Sequence, residues 1–368
     1  MLIEIINTDA IDLNDEALHP TLINLLCAYR EGKHLLLCDA TLLKKISVHT
    51  ELGNLTCNTA KFLSSRIIEY VQLKEKLTYY CKVDLSSSST EAIHKNPQDN
   101  FFTVGYKYFS DSANIQIPKL LCEDLNDTKL YNLISKHYRL SNGFRGIDVK
   151  FENCNGGGAN TKHNFEMIKQ SSKLCLCLLD SDKKHPKSNV GSTASKFNKR
   201  SDSATCKHYI MECHEIESLI PLGVIEIGLK NKIIQNSYIF AFEQFHAVTN
   251  YKPNTKLYFD HKEGLTISSA TEMDEKYNDD YWLDVLKNAQ TLRKKGCLDK
   301  LHCECTPPCL AIPGFGTGLL DAGTSIIEKM THLKLTEILP PILLAEWQKI
   351  GLKLTSWGCS SPNRTRTS

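Results

Sequence analysis

The stretch Ile147–Pro186, IDVKFENCNGGGANTKHNFEMIKQSSKLCLCLLDSDKKHP, decides the fold, together with Lys207–Pro221, KHYIMECHEIESLIP. Leu174–Leu179 is a short, bounded apolar run rich in Leu and Cys, as expected of a strand buried in a parallel sheet. It ends in Asp180-Ser181-Asp182, carboxylates that a buried strand would not carry through its interior. Ile147–Phe151 reads as an earlier strand that delivers Glu152, followed by Gly156-Gly157-Gly158, where glycine allows a sharp turn. Asn160–Gln170 reads as a short helix returning the chain to Leu174. A third strand near His208–Met211 runs into Glu212, Glu215 and Glu217. Ligands of open α/β sheets gather outside the carboxyl ends of the strands, so three strands each bringing acid there imply a divalent-metal site. Mg2+ and Mn2+ suit such a site because hard cations prefer carboxylate oxygen. Without a cation, gathered carboxylates repel one another. The plainer alternative makes Asp180 and Asp182 the start of a surface loop, with Lys183 and Lys184 as their ion-pair partners.

Working outward, 41% apolar and 23% charged residues describe an ordinary soluble chain, and a formal charge of +2 gives no global pull toward nucleic acid. A local patch would have to supply any such affinity. Lys183, Lys184, Lys187, Lys196, Lys199 and Arg200 form one, in a Ser-rich loop beside the acidic cluster. The alternative for that loop is a solvated surface insertion. The acidic start of the chain lacks a secretory leader, and no apolar run is long enough to span a bilayer. Fifteen cysteines, an odd number with several in apolar runs, read as reduced thiols; these features together predict a cytoplasmic protein with no membrane partner.

Residues 1–145 read as an α/β region of recognition or assembly, with helices at Pro20–Arg30, Thr59–Lys76 and Lys129–Tyr138 and strands at Lys33–Cys38 and Phe101–Phe109. Ser86–Asn100 is a polar loop. A catalytic domain is expected over 146–270 and a helical, Cys-rich region over 271–368, ending in a polar tail from Ser360. Within the catalytic span, Lys256–Ser269 reads as two strands around Glu263-Gly264. Lys262, beside Asp260 and His261, is a candidate to orient water or neutralise a transition state, against a simple mixed-charge turn. Cys297, Cys303, Cys305 and Cys309 enclose His302 and supply the four soft ligands of a tetrahedral zinc site, although the spacing lacks the usual C-x2-C pairs. Gly314-Phe315-Gly316-Thr317-Gly318 lacks the context of a phosphate loop and reads as a turn.

The acidic pattern resembles the Toprim domain of topoisomerases, bacterial primases and overcoming-lysogenization-defect-type nucleases. That family places a glutamate near glycine after its first strand and a DxD after a later one. Glu152 with its three glycines matches the first element, and Asp180-Ser181-Asp182 the second. His214–Ser218, HEIES, is similar to the E-hydrophobic-E of Toprim-like proteins in bacterial anti-phage defence. The resemblance implies a mostly parallel sheet with flanking helices. It also implies that Glu152, Asp180 and Asp182 hold Mg2+ or Mn2+, with Glu215 or Glu217 completing the site. The implied activity is an endonuclease cutting DNA or RNA in antiviral defence, with a regulatory or ATPase protein as a further partner. The chain itself lacks GxxxxGK[ST], the attacking-tyrosine domains of a topoisomerase and the zinc domain of a primase. Two other readings stay open: a DxD nucleotide-sugar transferase, and a non-catalytic binding module with a degenerate site. A haloacid-dehalogenase phosphatase is disfavoured, because Lys184 stands where DxDx[TV] needs Thr or Val.

Overall fold

A computed structural model of the chain describes residues 1–9, 11–94 and 99–362. Parts of the expected polar loop (95–98) and of the polar tail (363–368) lie outside the described residues. The chain divides into two units. The first holds 1–178, 197–209 and 349–368; the second holds 179–196 and 210–348. The first unit continues through the boundary expected at 145/146.

The first unit is built on two sheets. β1 (Leu2–Ile6), β2 (Leu35–Leu37), β3 (Tyr80–Asp84) and β4 (Phe101–Gly105) form a parallel sheet in the order β2-β1-β3-β4. Leu35, Leu36 and Leu37 are all buried, which accounts for a strand with no polar alternation. Helix His19–Arg30 opens with Pro20 in its first turn and buries Leu22, Leu25, Leu26 and Tyr29, one face at helical spacing. The single helix expected over Thr59–Lys76 is two, Asn54–Ser64 and Ile67–Lys74. Ser64 and Ser65 turn their hydroxyls back onto the carbonyls of Lys61 and Phe62 at the break, the local bonding by which serine competes with helix. The strand expected through Phe109 stops at Gly105, where the backbone passes so close to Ser87 and Ser89 that no Cβ fits.

The second sheet carries the acidic motifs. β5 (Lys119–Cys122), β7 (Glu152–Asn155), β8 (Cys175–Leu179) and β9 (Cys206–Ile210) lie in the order β7-β5-β8-β9. β6 (Asp148–Val149) pairs outside it, antiparallel to β12 (Cys359–Ser360). β5 runs parallel to β7 and to β8, with Lys119 level with both Glu152 and Cys175. Bonds from Cys175 N–H to Thr205 and from Met211 N–H to Leu179 follow one order along β8 and β9, so these too run parallel. Helix Asp127–Ser141 leaves β5, and helix Thr161–Gln170 carries the chain from the edge strand β7 to β8. The direction of winding reverses between β5 and β8, which makes their carboxyl ends the switch point of the sheet. An α/β chain with a mostly parallel sheet, flanking helices and a Cys-rich C-terminal stretch is what the sequence predicts.

The second unit is mostly helical, with one antiparallel ribbon of β10 (Gly264–Thr266) and β11 (Leu310–Pro313). The two strands expected over Lys256–Ser269 are replaced by a helical turn at Thr255–Tyr258, β10, and the start of helix Ile267–Tyr277. A reciprocal cap between Thr266 and Ser269 starts that helix and overrides the strand-like composition. Trp282 and Trp347 are almost fully buried, and their indole N–H groups donate to the carbonyls of Lys184 and Leu219.

Candidate metal centre

The structure places Glu152 differently from the expectation. It opens β7 rather than following a strand, level with Lys119 and Cys175 at the amino end of the sheet, and its exposed carboxylate is paired with Lys119. The alternation of IDVKFE hides this: Asp148 and Val149 belong to another strand pair, so the acid is read at the end of the earlier strand instead of the start of β7. The residue that does follow a carboxyl end is Glu123, directly after β5. Its carbonyl accepts N–H bonds from Gly157 and Gly158, both at positive φ, so the glycine run closes on β5. Cys122, the last residue of β5, is level with Leu178, and the chain reaches Asp180 two residues later.

In the second unit the DSD turn and the HEIES segment are bound together. Ser181 is fully buried; its N–H and hydroxyl both donate to the carbonyl of Cys213, the hydroxyl at 2.7 Å. Asp182 N–H donates to the His214 carbonyl at 2.9 Å. Asp182 itself has φ of 55°, a left-handed conformation that non-glycine residues seldom hold without a reason. Its side chain lies over Gly191, where an added Cβ would stand 2.0 Å from Oδ2.

Behind this turn lies a charged group with little exposure. Glu215 and Glu217 are 7% and 2% exposed, and Lys262 Nζ stands 3.1 Å from both carboxylates. Glu215 Oε1 also accepts the His261 N–H at 2.8 Å, whereas Glu217 Oε2 is buried with no hydrogen-bond partner among the described residues. Burial and the neighbouring Glu217 push the Glu215 carboxyl above its ordinary range, opposed by Lys262. Burial disfavours the Lys262 ammonium too, but the two glutamates outweigh it and hold its pKa above the usual value. Asp260 accepts from Lys184 at 2.8 Å, lies 3.7 Å from His214 Nε2, and caps its own turn through the N–H groups of Lys262 and Glu263. Although burial opposes it, the bonds from His214 and Lys184 hold the Asp260 carboxyl well below the ordinary range. Lys262 thus lies in a turn of mixed charge and stands beside two buried acids.

The carboxylate group that converges is not quite the one expected. His214, Glu215 and Asp260 present ligand atoms within 4.8 Å of one another and can hold a metal ion. Asp180, Asp182 and Glu217 do not join that set, and the cation between Glu215 and Glu217 is Lys262. The basic loop is divided as well. Lys183, Lys184, Lys187 and Lys196 belong to the second unit, and Lys199 and Arg200 to the first. Lys184 and Lys187 are paired with Asp260 and Asp279, so the loop is in part a set of internal ion pairs.

The four cysteines come together as the sequence predicts. The sulfurs of Cys297, Cys303, Cys305 and Cys309 all lie within 4.8 Å of one another, and this set can hold a metal ion. Cys297 and Cys305 are 3.7 Å apart, and Cys303 Sγ accepts the Cys309 N–H at 3.3 Å. Backbone N–H groups of Cys309 and Cys305 draw the Cys303 thiol down to about 7. His302 is outside the cluster, facing Glu304 at the surface.

The sequence reading gives His214 and Asp260 no role in the site and passes over Glu123. Glu123 had a usable signal, because LLCED followed by a helical segment repeats in miniature the pattern LCLCLLD. The approach of His214 to Asp260 is a tertiary contact that no spacing reveals. Comparison with protein-family models, with curated proteins and with solved structures gives no match. Among the described residues no helix is long and apolar enough to cross a membrane.

Proposed function

We propose that this chain is a Mg2+- or Mn2+-dependent nuclease hydrolysing phosphodiester bonds of DNA or RNA. The observation that carries the reading is the bonding of the Ser181-Asp182 turn onto Cys213-His214, which sets DxD and ExE side by side in one unit. The donor set is hard carboxylate, and the buried Glu217 Oε2 without a partner is an atom that a cation would satisfy. In this reading His214, Glu215 and Asp260, whose ligand atoms converge, hold the ion, and Asp180, Asp182 and Glu217 reach it directly or through its waters. When bound, the ion supplies an activated water and charge neutralisation at the scissile phosphate. Lys262, two-fifths exposed at its side chain, is free to turn from the glutamates toward a phosphate oxygen. Glu215, with its raised pKa, can accept a proton while His261 N–H holds its other oxygen. Cytoplasmic antiviral defence, with a protein activator, extends the proposal through the Toprim resemblance. The four thiols hold structural Zn2+ in the same proposal, because their number and spacing suit a closed tetrahedral site.

One observation favours a second reading, a non-catalytic module that docks nucleic acid or protein: Lys262 already fills the space between Glu215 and Glu217 as an internal counter-ion. An assay on plasmid DNA, single-stranded DNA and total RNA with Mg2+, Mn2+ or EDTA separates the two. Cleavage that needs the metal and disappears in Asp180→Ala/Asp182→Ala supports the nuclease. Metal-independent binding of the same nucleic acids without cleavage, equal in the variant, supports the module.

A further inference from the structure

The segment that bears the four cysteines has little else to hold it. Between Ala289 and Leu310 the one regular element is a four-residue helix, Cys297–Lys300. Leu292 and Leu298 are its buried apolar side chains beyond Ala289, while His302, Glu304 and Cys305 face solvent. So small an apolar contribution does not order a loop of this length, and a metal is the usual substitute. The sulfur spacing agrees. Tetrahedral Zn2+ with Zn–S of about 2.3 Å puts its sulfurs about 3.8 Å apart, and Cys297 and Cys305 stand at 3.7 Å. None of the four is in a disulfide.

What the cluster is attached to is more telling. The Cys309 carbonyl accepts the Ile267 N–H at 3.1 Å, and β11 starts at the next residue, pairing with β10. Past β11 the chain turns back onto the loop that presents Lys262: Phe315 N–H donates to the His261 carbonyl at 2.7 Å and Gly316 N–H to the Lys262 carbonyl at 3.1 Å. The approach is so close that a Cβ on Gly314 would stand 2.3 Å from the Lys262 oxygen, and one on Gly264 2.4 Å from the Ile312 oxygen. The last cysteine is thus the near end of a ribbon whose far end fixes the backbone of His261 and Lys262. Through that backbone it sets where the Lys262 side chain starts toward Glu215 and Glu217.

We propose that the four-cysteine site is a zinc clamp that positions Lys262 against the buried glutamates. The inference rests on the zinc reading above and extends it to a role. Loading the site replaces thiol protons by the metal, with up to four protons leaving for one Zn2+, so the clamp is charged and closed in one step. Cys297, Cys303, Cys305 and Cys309 act here as positioning residues, remote from any reacting atom.

The test uses the full chain, its metal content by mass spectrometry and its amide hydrogen exchange peptide by peptide. The expected result is about one zinc per chain. Its removal by chelation, or by Cys303→Ser/Cys309→Ser, should raise exchange by about tenfold or more in 261–267 and 310–316. Peptides over β1 and β3 in the first unit should keep their protection, which controls against unfolding. Cys305→His, which keeps a zinc ligand, should retain both metal and protection, whereas Cys305→Ala should lose them. A chain purified without zinc, with four thiols that titrate freely and protection intact, overturns the zinc reading. Zinc present but removable with no change in 261–267 leaves the metal and overturns the clamp.

Discussion

At Cys297, Cys303, Cys305 and Cys309, four soft donors meet on a loop with almost no apolar support. At Glu215 and Glu217, two hard donors are buried with Lys262 already between them. The contrast separates two uses of ligand chemistry in one unit. In the proposal, thiols gathered at the surface gain their order from an ion, which makes the zinc part of the fold. Carboxylates gathered in the interior must be neutralised whether or not an ion arrives, because an uncompensated buried charge costs several kcal/mol. A catalytic cation at the second group must therefore displace or share with Lys262, and its binding will be weaker and reversible.

The largest effect that would sharpen this contrast is on cleavage. Asp182→Gly removes one proposed ligand and also the left-handed φ of 55° from a residue with a Cβ. Cleavage should fall by at least about a hundredfold while the melting temperature stays level or rises. A stable Asp182→Gly variant that cuts like the wild type would break the assignment of the DSD turn. Next comes Glu152, which opens β7 and is paired with Lys119. Glu152→Gln should leave cleavage within about twofold of the wild type, as the strand-end rule requires. A loss as large as that of Asp182→Gly would restore the sequence-based assignment.

Effects on stability follow. Lys262→Met leaves Glu215 and Glu217 without their shared cation, and should cost about 2 kcal/mol, less than a fully buried pair because Lys262 is partly solvated. Chemical denaturation in Mg2+ should recover more of the loss in this variant than it adds to the wild type. Equal Mg2+ effects on both would show that Lys262 and the metal do not compete. The smallest effect concerns Lys256, fully buried beside His261, whose ammonium burial pushes down to about 7 from 10.5. Between those values the unfolded chain binds a proton that the folded chain does not, so the contribution of Lys256 to stability, the difference between wild type and Lys256→Met, should rise with pH from about 7 to about 10.5. Melting temperatures of the two proteins across the range read that difference.

Much of this architecture is legible in the sequence where burial and local spacing agree. LCLCLL can only be an interior strand, DSD can only end it, and the helix ending at Gln170 has the length of one crossover. The four cysteines are close in sequence, so proximity in space follows. The failures have the opposite character. β5 has four residues and sits within what reads as a separate region, so Glu123 passes unnoticed while the longer alternation before Glu152 attracts the assignment. Lys256–Ser269 alternates like a hairpin, but a cap formed by Thr266 and Ser269 decides for helix. The pairing of Lys262 with Glu215 and Glu217 depends on a chain reversal held by Phe315 and Gly316, a long-range contact beyond any periodic reading.

Whether the carboxylates of the second unit hold a divalent cation in competition with Lys262 is read by titrating Mn2+ into the purified chain. Calorimetry should be run on the zinc-loaded wild type, on Asp180→Ala/Asp182→Ala and on Lys262→Met. About one Mn2+ site per wild-type chain is expected, with loss of that site in the double alanine variant and tighter binding by about tenfold in Lys262→Met. No Mn2+ uptake by the wild type or by Lys262→Met would contradict it and leave Lys262 as the permanent cation of a binding module.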